Sequence, residues 1–286
     1  MHDPLSSEHE SRITIQGVEL ALGFPDEFNF KWIGQQDVLD QLLAAWLVVD
    51  PQDIPLNPRL IGKPGVGKTT LAYAAAKHIN RPVYIYQCTM DTRPEDLLIT
   101  PVIDQAGGIR YVASALVTAM IRGGVCILDE ANRMSEKSWA SLAPLLDTRR
   151  YVESIVAGLK VFAHPEFRIC VTMNDDASTF EIPEYIHSRL QPQIYLEFPE
   201  AEEEKRILRE NLPFIDEHIM DYVVSFLQRA HMSNENYTIR DGINIARYAA
   251  KRLKSFEGKN VNVDNLLRQA IVMTLGDEAL AHVTDL

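Results

Sequence analysis

The residues with the clearest chemical potential lie in one glycine-rich stretch, GKPGVGKT, which runs from Gly62 to Thr69. Its pattern, G-x-x-x-x-G-K-[ST], is typical of a phosphate-binding loop between a strand and a helix. The flanking sequence fits, because Arg59-Leu60-Ile61 is apolar enough to end a strand and residues 70–79 have helical apolar spacing. The backbone N–H groups of such a loop, and the positive end of the following helix dipole, point at one place. The phosphates of a nucleotide fit there.

We therefore predict that this loop binds ATP and Mg²⁺. Lys68 would reach the β- and γ-phosphates, and the Thr69 hydroxyl would bind the metal. A plain glycine turn between strand and helix is the alternative, which the spacing and both flanks disfavour. The predicted nucleotide-binding residues of the loop are Gly62, Lys63, Pro64, Gly65, Val66, Gly67, Lys68, Thr69 and Thr70.

A second candidate element is the apolar run from Val125 to Leu128, which ends in Asp129 and Glu130. A continuous apolar run of this length is typical of a strand buried on both faces of a parallel sheet. Asp129 would hold Mg²⁺, directly or through water. Glu130 would orient and deprotonate an attacking water, a role that hydrolysis requires and simple binding does not. An acidic strand end is common by itself, but here it follows a phosphate loop.

Three polar residues further along the chain are candidates for contact with the reacting phosphate. Asn174 follows the apolar strand 167–173, at the sheet edge where ligands bind, although an asparagine also suits a simple turn. Arg189 ends a short helix opened by Pro183 and would stabilise transition-state charge, unless it forms an ordinary surface salt bridge. Thr238-Ile239-Arg240-Asp241 has the residue types of a capping box, which places Arg240 in the first turn of a helix. A cation there is unfavourable without an anionic partner such as phosphate or a nearby carboxylate.

The elements that position these residues alternate between strands and helices, which predicts an α/β fold with a five-stranded parallel sheet between helix layers. Everything after Pro199 has helical periodicity. We therefore predict a nucleotide-binding αβα core over residues 1–198, with an N-terminal extension at 1–25, and a small all-α lid domain over 199–286. The predicted lid helices are 201–212, 216–231, 240–256 and 263–275.

Several local features are also predicted. Hairpins are expected at 13–20, at 101–112 around the turn Asp104-Gln105-Ala106-Gly107-Gly108, and at 151–162. A helix with apolar residues from Leu39 to Leu47 is expected to end at Asp50-Pro51. Ser135 is expected to cap a helix that Pro144 bends, and the last strand is expected at 194–198.

Composition narrows the class of protein. The chain has 286 residues, 46% of them apolar and 24% charged, as in globular proteins. No apolar run approaches the ~20 residues of a membrane span, and the polar residues 1–12 do not resemble a signal peptide. The net charge of −12 argues against broad DNA binding. Three separated cysteines, expected to be buried and reduced, favour a cytoplasmic protein, and the eight histidines have no metal-ligand spacing.

The order of these features resembles the AAA+ ATPases over about residues 30–255. Gly62–Thr69 resembles their Walker A motif, with Lys63 where proline is usual, and residues 126–130 resemble Walker B. By this resemblance Asn174 is sensor 1, Arg189 the arginine finger and Arg240 sensor 2. Ile33-Gly34-Gln35 is similar to the segment that borders the adenine, so that Ile33 and Gly34 join the predicted nucleotide site.

The hairpins at 101–112 and 151–162 are similar to the helix-2 insert and the pre-sensor-1 hairpin. Together they indicate the MoxR and dynein-related branch, as does the sequence from Gly123 to Arg133. The resemblance implies an ATP-driven ring, a homo-hexamer, that remodels a protein partner. It also implies a partner with a von Willebrand factor A domain.

Three functions remain open from the sequence. The first is a MoxR-like ATPase that remodels or activates a protein partner. The second is a DNA-handling motor of the Holliday-junction or clamp-loader type, which the acidic charge balance disfavours. The third is a nucleotide-dependent switch that barely hydrolyses, which the intact Asp129-Glu130 pair disfavours.

Overall fold

A five-stranded parallel sheet brings the phosphate loop and the acidic strand end to the same edge. The computed structural model describes residues 12–29, 31–103, 107–175, 182–255 and 262–283. Its strands are β1 (Arg12–Ile15), β2 (Val18–Ala21), β3 (Arg59–Gly62), β4 (Val83–Gln87), β5 (Ile99–Ile103), β6 (Ile109–Ala113), β7 (Val125–Asp129), β8 (Tyr151–Ser154), β9 (Leu159–Phe162), β10 (Arg168–Asn174) and β11 (Gln193–Tyr195). Its α-helices are α1 (Gln36–Trp46), α2 (Lys68–His78), α3 (Pro94–Leu97), α4 (Ala115–Arg122), α5 (Glu136–Leu142), α6 (Glu184–His187), α7 (Ala201–Asn211), α8 (Glu217–Met232), α9 (Ile239–Ser255) and α10 (Val263–Leu275).

The central sheet has the strand order β11-β3-β10-β7-β4, and all four pairings are parallel. Its register places Asn174 beside Gly62 and Asp129 beside Gln87. Because the strands run the same way, their carboxyl ends form one edge, which is where ligands bind in such sheets. The predicted α/β fold with a five-stranded parallel sheet is confirmed.

The apolar runs of the sequence form the core of this sheet. Residues Val125 to Leu128 of β7 are fully buried, and Ile169, Cys170 and Val171 of β10 are nearly so. Helix α2 buries a face of small residues, including Ala72, Ala75 and Ala76. Small side chains allow this helix to pack close to the sheet. The helix begins at Lys68, within the phosphate-loop motif.

A second sheet joins two hairpins that the sequence predicts separately. Strands β1 and β2 form one hairpin and β5 and β6 the other, and a parallel pairing of β2 with β6 gives the order β1-β2-β6-β5. In that pairing Leu20 lies beside Tyr111. Alternation and turn residues indicate each hairpin locally, but they carry no signal for the pairing between hairpins. The predicted hairpin at 151–162 is present as β8 and β9.

The described chain forms two compact units. The first contains residues 12–32, 37–62 and 68–195, and the second contains 33–36, 63–67 and the region from Leu196 onward. The helices of the second unit, α7 to α10, share a core that includes Val223, Leu227, Ile245 and Leu267, all fully buried. The domain ranges 1–198 and 199–286 stay a prediction.

Two predicted helix features are wrong. Helix α1 ends at Trp46 rather than near Asp50, since Leu47 is exposed and the Val49 N–H is bound by the Asp53 side chain at 3.0 Å. Pro144 does not bend a longer helix, because α5 already ends at Leu142. Proline has no N–H with which to continue the helical hydrogen bonds.

The last strand is shorter than the predicted 194–198. Strand β11 pairs with β3 only from Arg59 to Ile61, after which β3 enters the phosphate loop and offers no further partner.

The predictions for residues 1–11, for Asp104-Gln105-Ala106 and for Phe256 lie outside the described residues. Within the described chain, no helix is long and apolar enough to cross a membrane.

Candidate functional site

The Asp129 carboxylate lies at the end of β7 and is held by two hydroxyl groups. Its Oδ1 accepts hydrogen bonds from Thr69 Oγ1 at 2.7 Å and from Thr172 Oγ1 at 2.6 Å. The structure therefore brings together the two residues predicted to bind the metal. Both offer oxygen, the ligand type that Mg²⁺ prefers, so this donor set fits Mg²⁺.

Thr172 is a site residue that the sequence reasoning missed. Its hydroxyl donates to Asp129 and accepts from the Glu130 N–H at 2.9 Å, so one buried group orients both acidic residues. The sequence does contain a signal for this residue. Thr172 is a threonine inside the apolar run of β10, and a buried hydroxyl requires hydrogen-bond partners.

Glu130 is fixed in an unusual backbone conformation. Its φ is 54°, which is uncommon for a residue other than glycine and often marks a functional site. Glu130 Oε1 accepts a hydrogen bond from Asn174 Nδ2 at 3.2 Å, and Arg133 Nε lies 2.6 Å from Oε2. Two predicted catalytic residues, Glu130 and Asn174, are thus in direct contact.

Asn132 holds Asn174 in place and was also missed from the sequence. Asn132 Nδ2 donates to the Asn174 carbonyl at 2.9 Å, and the Asn174 N–H donates to Asn132 Oδ1 at 3.4 Å. Both side chains are buried. This reciprocal pair fixes the backbone at the end of β10, and with it the direction of the Asn174 amide.

Lys68 begins helix α2 with its ammonium group directed back to the loop. Its Nζ donates to the Gly62 carbonyl at 2.7 Å, and the side chain is buried. The Asp175 N–H donates to the same carbonyl at 3.2 Å. The carbonyl thus lies between the phosphate-loop lysine and the residue that follows Asn174. Thr70, the last predicted loop residue, is half-buried in the first turn of α2.

Arg189 follows α6 and is paired within its own unit. Its Nε lies 3.5 Å from Asp147 Oδ2, and its Nη1 donates to the Tyr185 carbonyl. Hydrogen bonds from Arg149, and a further one from Arg189, lower the pKa of Asp147 to about 2. In the described part of the chain, Arg189 makes no hydrogen bond to Asp129, Glu130 or Asn174.

Residues of the second unit include two segments of the predicted nucleotide site. The segment of Ile33 and Gly34 is anchored where the Gln35 N–H donates to Glu203 Oε1 at 3.0 Å. Gly34 has a φ of 80°, and a Cβ there would lie 2.3 Å from Glu203. The positive φ favours glycine, and a side chain here would have to displace the Glu203 carboxylate.

The loop residues Lys63 to Gly67 form the other segment. Gly65 has a φ of 81°, and an added Cβ would lie 2.8 Å from the Thr238 side chain. Both the backbone conformation and the close approach require glycine. Pro64 is exposed, Val66 is buried, and Gly67 is half-buried with a φ of 99°.

Arg240 is exposed in the first turn of α9, directly after a reciprocal cap. The Thr238 N–H donates to Asp241 Oδ2 at 2.8 Å, and the Asp241 N–H donates to Thr238 Oγ1 at 3.3 Å. This is the capping-box geometry expected from the sequence. A role for Arg240 toward phosphate stays a prediction.

The three cysteines are buried and free, and they have no catalytic geometry. Burial raises the pKa of the Cys88, Cys126 and Cys170 thiols well above the usual range. A thiol nucleophile requires the opposite shift. The cysteines therefore belong to the core.

The parallel sheet, the phosphate loop between β3 and α2, and the acidic end of β7 together define a P-loop nucleoside-triphosphatase fold. Residues 59–190 match the family model of the AAA domain of the dynein-related subfamily. Together with the fold, this match supports an AAA+ ATPase. The matched stretch, somewhat less than half of the chain, contains Asp129, Glu130, Asn174 and Arg189.

The chain is also similar to uncharacterized staphylococcal proteins. One from Staphylococcus aureus strain NCTC 8325 is 25% identical over 179 residues, which cover 61% of this chain and 68% of that protein. One from Staphylococcus epidermidis is 24% identical over 205 residues, covering 68% of this chain and 78% of that protein.

Among solved structures, the fold resembles the RuvB Holliday-junction branch-migration motor of Thermotoga maritima. The TM-score is 0.57 at 18% identity, and the match covers 84% of this chain and 70% of RuvB. A Cytophaga hutchinsonii protein provisionally described as an ATPase gives a TM-score of 0.51 at 18% identity, over 84% of this chain and 81% of that one. At these identities the likeness shows the fold alone.

Proposed function

We propose that this protein binds ATP with Mg²⁺ and hydrolyses it to ADP and phosphate. The observation that carries the proposal is the hydrogen-bonded series Thr69–Asp129–Thr172–Glu130–Asn174, which forms at one edge of the sheet. A protein that only binds nucleotide requires no glutamate fixed beside a metal-binding aspartate.

Each residue in the series has a chemical role under this proposal. Bound Mg²⁺ would neutralise charge on the phosphates, and Thr69 and Asp129 would hold it. The Glu130 carboxylate would accept a proton from the attacking water. Asn174, already bonded to Glu130 Oε1, would orient that carboxylate and the water. Lys68 would exchange its bond to the Gly62 carbonyl for a phosphate oxygen.

Replacing Glu130 with glutamine tests this assignment. The amide still forms hydrogen bonds but cannot take up a proton. We expect Glu130→Gln to bind fluorescent ATP as the wild type does and to lose at least about 100-fold in turnover, within the range of general-base contributions. Glu136→Gln, an exposed neighbour on α5, is the matched control. Turnover of Glu130→Gln within a few-fold of the wild type would show that Glu130 is not the base.

We further propose that ATP hydrolysis drives a ring, in the manner of MoxR-like ATPases, that remodels a protein partner. The dynein-related family match supports this proposal, as do two hairpins with exposed apolar residues. Ile103 and Ile109 are 77% and 68% exposed on β5 and β6, and Ile155 is 93% exposed beyond β8. The two hairpins meet where Tyr111 OH donates to the Val156 carbonyl at 3.5 Å. Exposed apolar side chains of this kind favour a protein partner, and a von Willebrand factor A domain is the proposed class.

A DNA-handling motor is the second candidate, because the fold resembles RuvB. The net charge of −12 disfavours it, since DNA binding depends on contacts between basic residues and phosphates. ATPase assays with and without branched duplex DNA distinguish the two. A salt-sensitive stimulation by DNA would favour the DNA motor over the protein-remodelling ring.

A further inference from the structure

Lys63 occupies the loop position where the AAA+ ATPases, which this sequence resembles, usually have proline. Its side chain contacts an aromatic ring. Its Nζ lies 5.2 Å from the centroid of the Phe198 ring. Phe198 in turn stacks on His231, with centroids 3.9 Å apart and planes 7° from parallel. We call Lys63, Phe198 and His231 the ring cluster. All three belong to the second unit.

The His231 ring is fixed from two further sides. Its Nε2 lies 2.7 Å from the Tyr237 carbonyl, which can only accept, so Nε2 carries a proton and donates. Its Nδ1 lies 3.8 Å from Glu204 Oε1 on α7, a fully buried carboxylate oxygen. Burial lowers the pKa of His231, and the positive charge of Lys63 lowers it further. A neutral ring is therefore favoured beside the Lys63 ammonium.

A second contact connects the same loop to the same region of the unit. Tyr237, which accepts from His231, directly precedes Thr238, and the Thr238 side chain leaves no room for a Cβ at Gly65. The loop is thus held at Lys63 by the ring cluster and at Gly65 by the cap of α9. Its own turn closes through the Val66 N–H, which donates to the Lys63 carbonyl at 3.5 Å.

From these contacts we propose that Lys63 is a positioning residue, which sets nucleotide affinity by anchoring loop residues 63–67 through the ring cluster. This proposal rests on the proposed function and adds a role within the same loop. A loop that is held in its binding conformation loses less conformational freedom when phosphate arrives. The contact acts on binding rather than on the reacting water, so it affects affinity and leaves the rate at saturating ATP largely unchanged.

Paired substitutions separate the cation and the ring from simple packing. Lys63→Met keeps the side-chain length and removes the charge, whereas Lys63→Arg keeps both. Phe198→Leu removes the aromatic face, whereas Phe198→Tyr keeps it. Fluorescent ADP and ATP titrations give the affinity, ATPase assays give kcat and KM, and thermal unfolding monitors the fold.

We expect Lys63→Met and Phe198→Leu each to weaken ADP and ATP binding about threefold to tenfold, the range of a half-buried cation–π contact. The kcat values stay within about twofold, and Lys63→Arg and Phe198→Tyr keep most of the affinity. The double variant binds no more weakly than the weaker single variant, because both substitutions remove one contact.

Three results would overturn the proposal. Unchanged affinity in Lys63→Met would show that the contact does not anchor the loop. Additive losses in the double variant would show that Lys63 acts alone, as a direct phosphate ligand. A loss in kcat with unchanged affinity would place Lys63 in the chemical step. If the wild-type protein binds no nucleotide, the proposed function itself is wrong. Failure of the proposed function can therefore be distinguished from failure of the proposal for Lys63.

Discussion

At the scale of single residues, the Thr172 hydroxyl is the group on which the candidate site depends most. It donates to the Asp129 carboxylate and accepts from the Glu130 N–H, and it is fully buried. Without this hydroxyl, the half-buried Asp129 carboxylate would keep only the hydrogen bond from Thr69, and the Glu130 N–H would be left without a partner. Because its hydroxyl acts through Asp129 and Glu130, we regard Thr172 as a positioning residue.

We expect Thr172→Val, which has the same shape without the hydroxyl, to lower the ATPase kcat by about 10- to 100-fold, as is typical of outer-shell partners. Thr172→Ser keeps the hydroxyl and should retain most of the activity. The comparison is made by steady-state ATPase assays over a range of Mg²⁺ concentrations, because a misplaced Asp129 also weakens metal binding. Equal activity of the valine and serine variants would exclude the positioning role.

At the scale of elements, helices α7 and α8 pack around the Glu204 carboxylate, and the core does not supply hydrogen bonds to both of its oxygens. Glu204 is completely buried, and its Oε2 accepts from Gln228 Nε2 at 3.0 Å. Its Oε1 has no hydrogen-bond partner among the described residues, with His231 Nδ1 at 3.8 Å. Burial raises the pKa of Glu204 from an ordinary value of 4.5 to about 7, against the lowering effect of Gln228.

This shift predicts a pH dependence of stability. Because the folded pKa of Glu204 lies above its unfolded value, its favourable contribution is complete below about pH 4.5 and is lost as the pH rises through about 7. We expect Glu204→Gln to be more stable than the wild type at pH 8, by at most about 3 kcal/mol, and no more stable at pH 5. Urea unfolding at both pH values measures this difference. The His231 pKa is lowered and acts in the opposite direction in both proteins.

Glu202→Gln, an exposed substitution on the same helix, controls for the change in net charge. A pH-independent difference between Glu204→Gln and the wild type would contradict the raised pKa. A destabilised Glu204→Gln at pH 8 would show instead that the ionised carboxylate is stabilising.

The exposed hairpin formed by β5 and β6 permits a test at the same scale. Ile103 and Ile109 pair across the two strands and are largely exposed, so polar replacements cost little stability. We expect the double variant Ile103→Ser/Ile109→Ser to keep its basal ATPase within about twofold, since surface substitutions of this kind are nearly neutral, and to lose ATPase stimulation by a protein partner. Tyr111→Phe, which removes only the bond to Val156, is the control. A collapse of basal ATPase would indicate that the hairpin is structural.

At the scale of the whole molecule, Arg189 raises the question of assembly. Within the described chain its guanidinium is bound to Asp147 and to the Tyr185 carbonyl, and not to Asp129, Glu130 or Asn174. An arginine finger in AAA+ rings acts on the nucleotide of a neighbouring subunit. We therefore predict that Arg189 works in trans and that a single chain hydrolyses ATP poorly.

Mixing two inactive variants tests this prediction. Lys68→Ala subunits lack the phosphate-loop lysine but keep Arg189, and Arg189→Ala subunits have the reverse. Some interfaces in a mixed ring therefore combine both working residues, and we expect partial recovery of ATPase activity that peaks at intermediate mixing ratios. Light scattering confirms that mixed rings form. Mixed rings without any recovery would show that Arg189 does not act in trans.

The sequence by itself was sufficient for the phosphate loop, the acidic strand end and the fold class. These depend on short-range patterns: glycine spacing between Gly62 and Gly67, the apolar run of β7, and alternation of strand and helix periods. The capping box at Thr238 and the helices α7 to α10 were also predictable, because each is set by residues within a few positions of one another. An element predicted from a local pattern is present in the folded protein when the tertiary contacts favour the same element.

The contacts between these local elements were decided only by the tertiary structure. The parallel pairing of β2 with β6, the two bonds of the Thr172 hydroxyl, and the contact of Lys63 with Phe198 each join residues far apart in the chain. The short β11 was decided in the same way, by the end of a neighbouring strand. The early end of α1 instead involves a local contact, between Asp53 and the Val49 N–H, which helical periodicity does not reveal. Periodicity shows which face of an element is buried, but the partner that it meets depends on how distant segments pack.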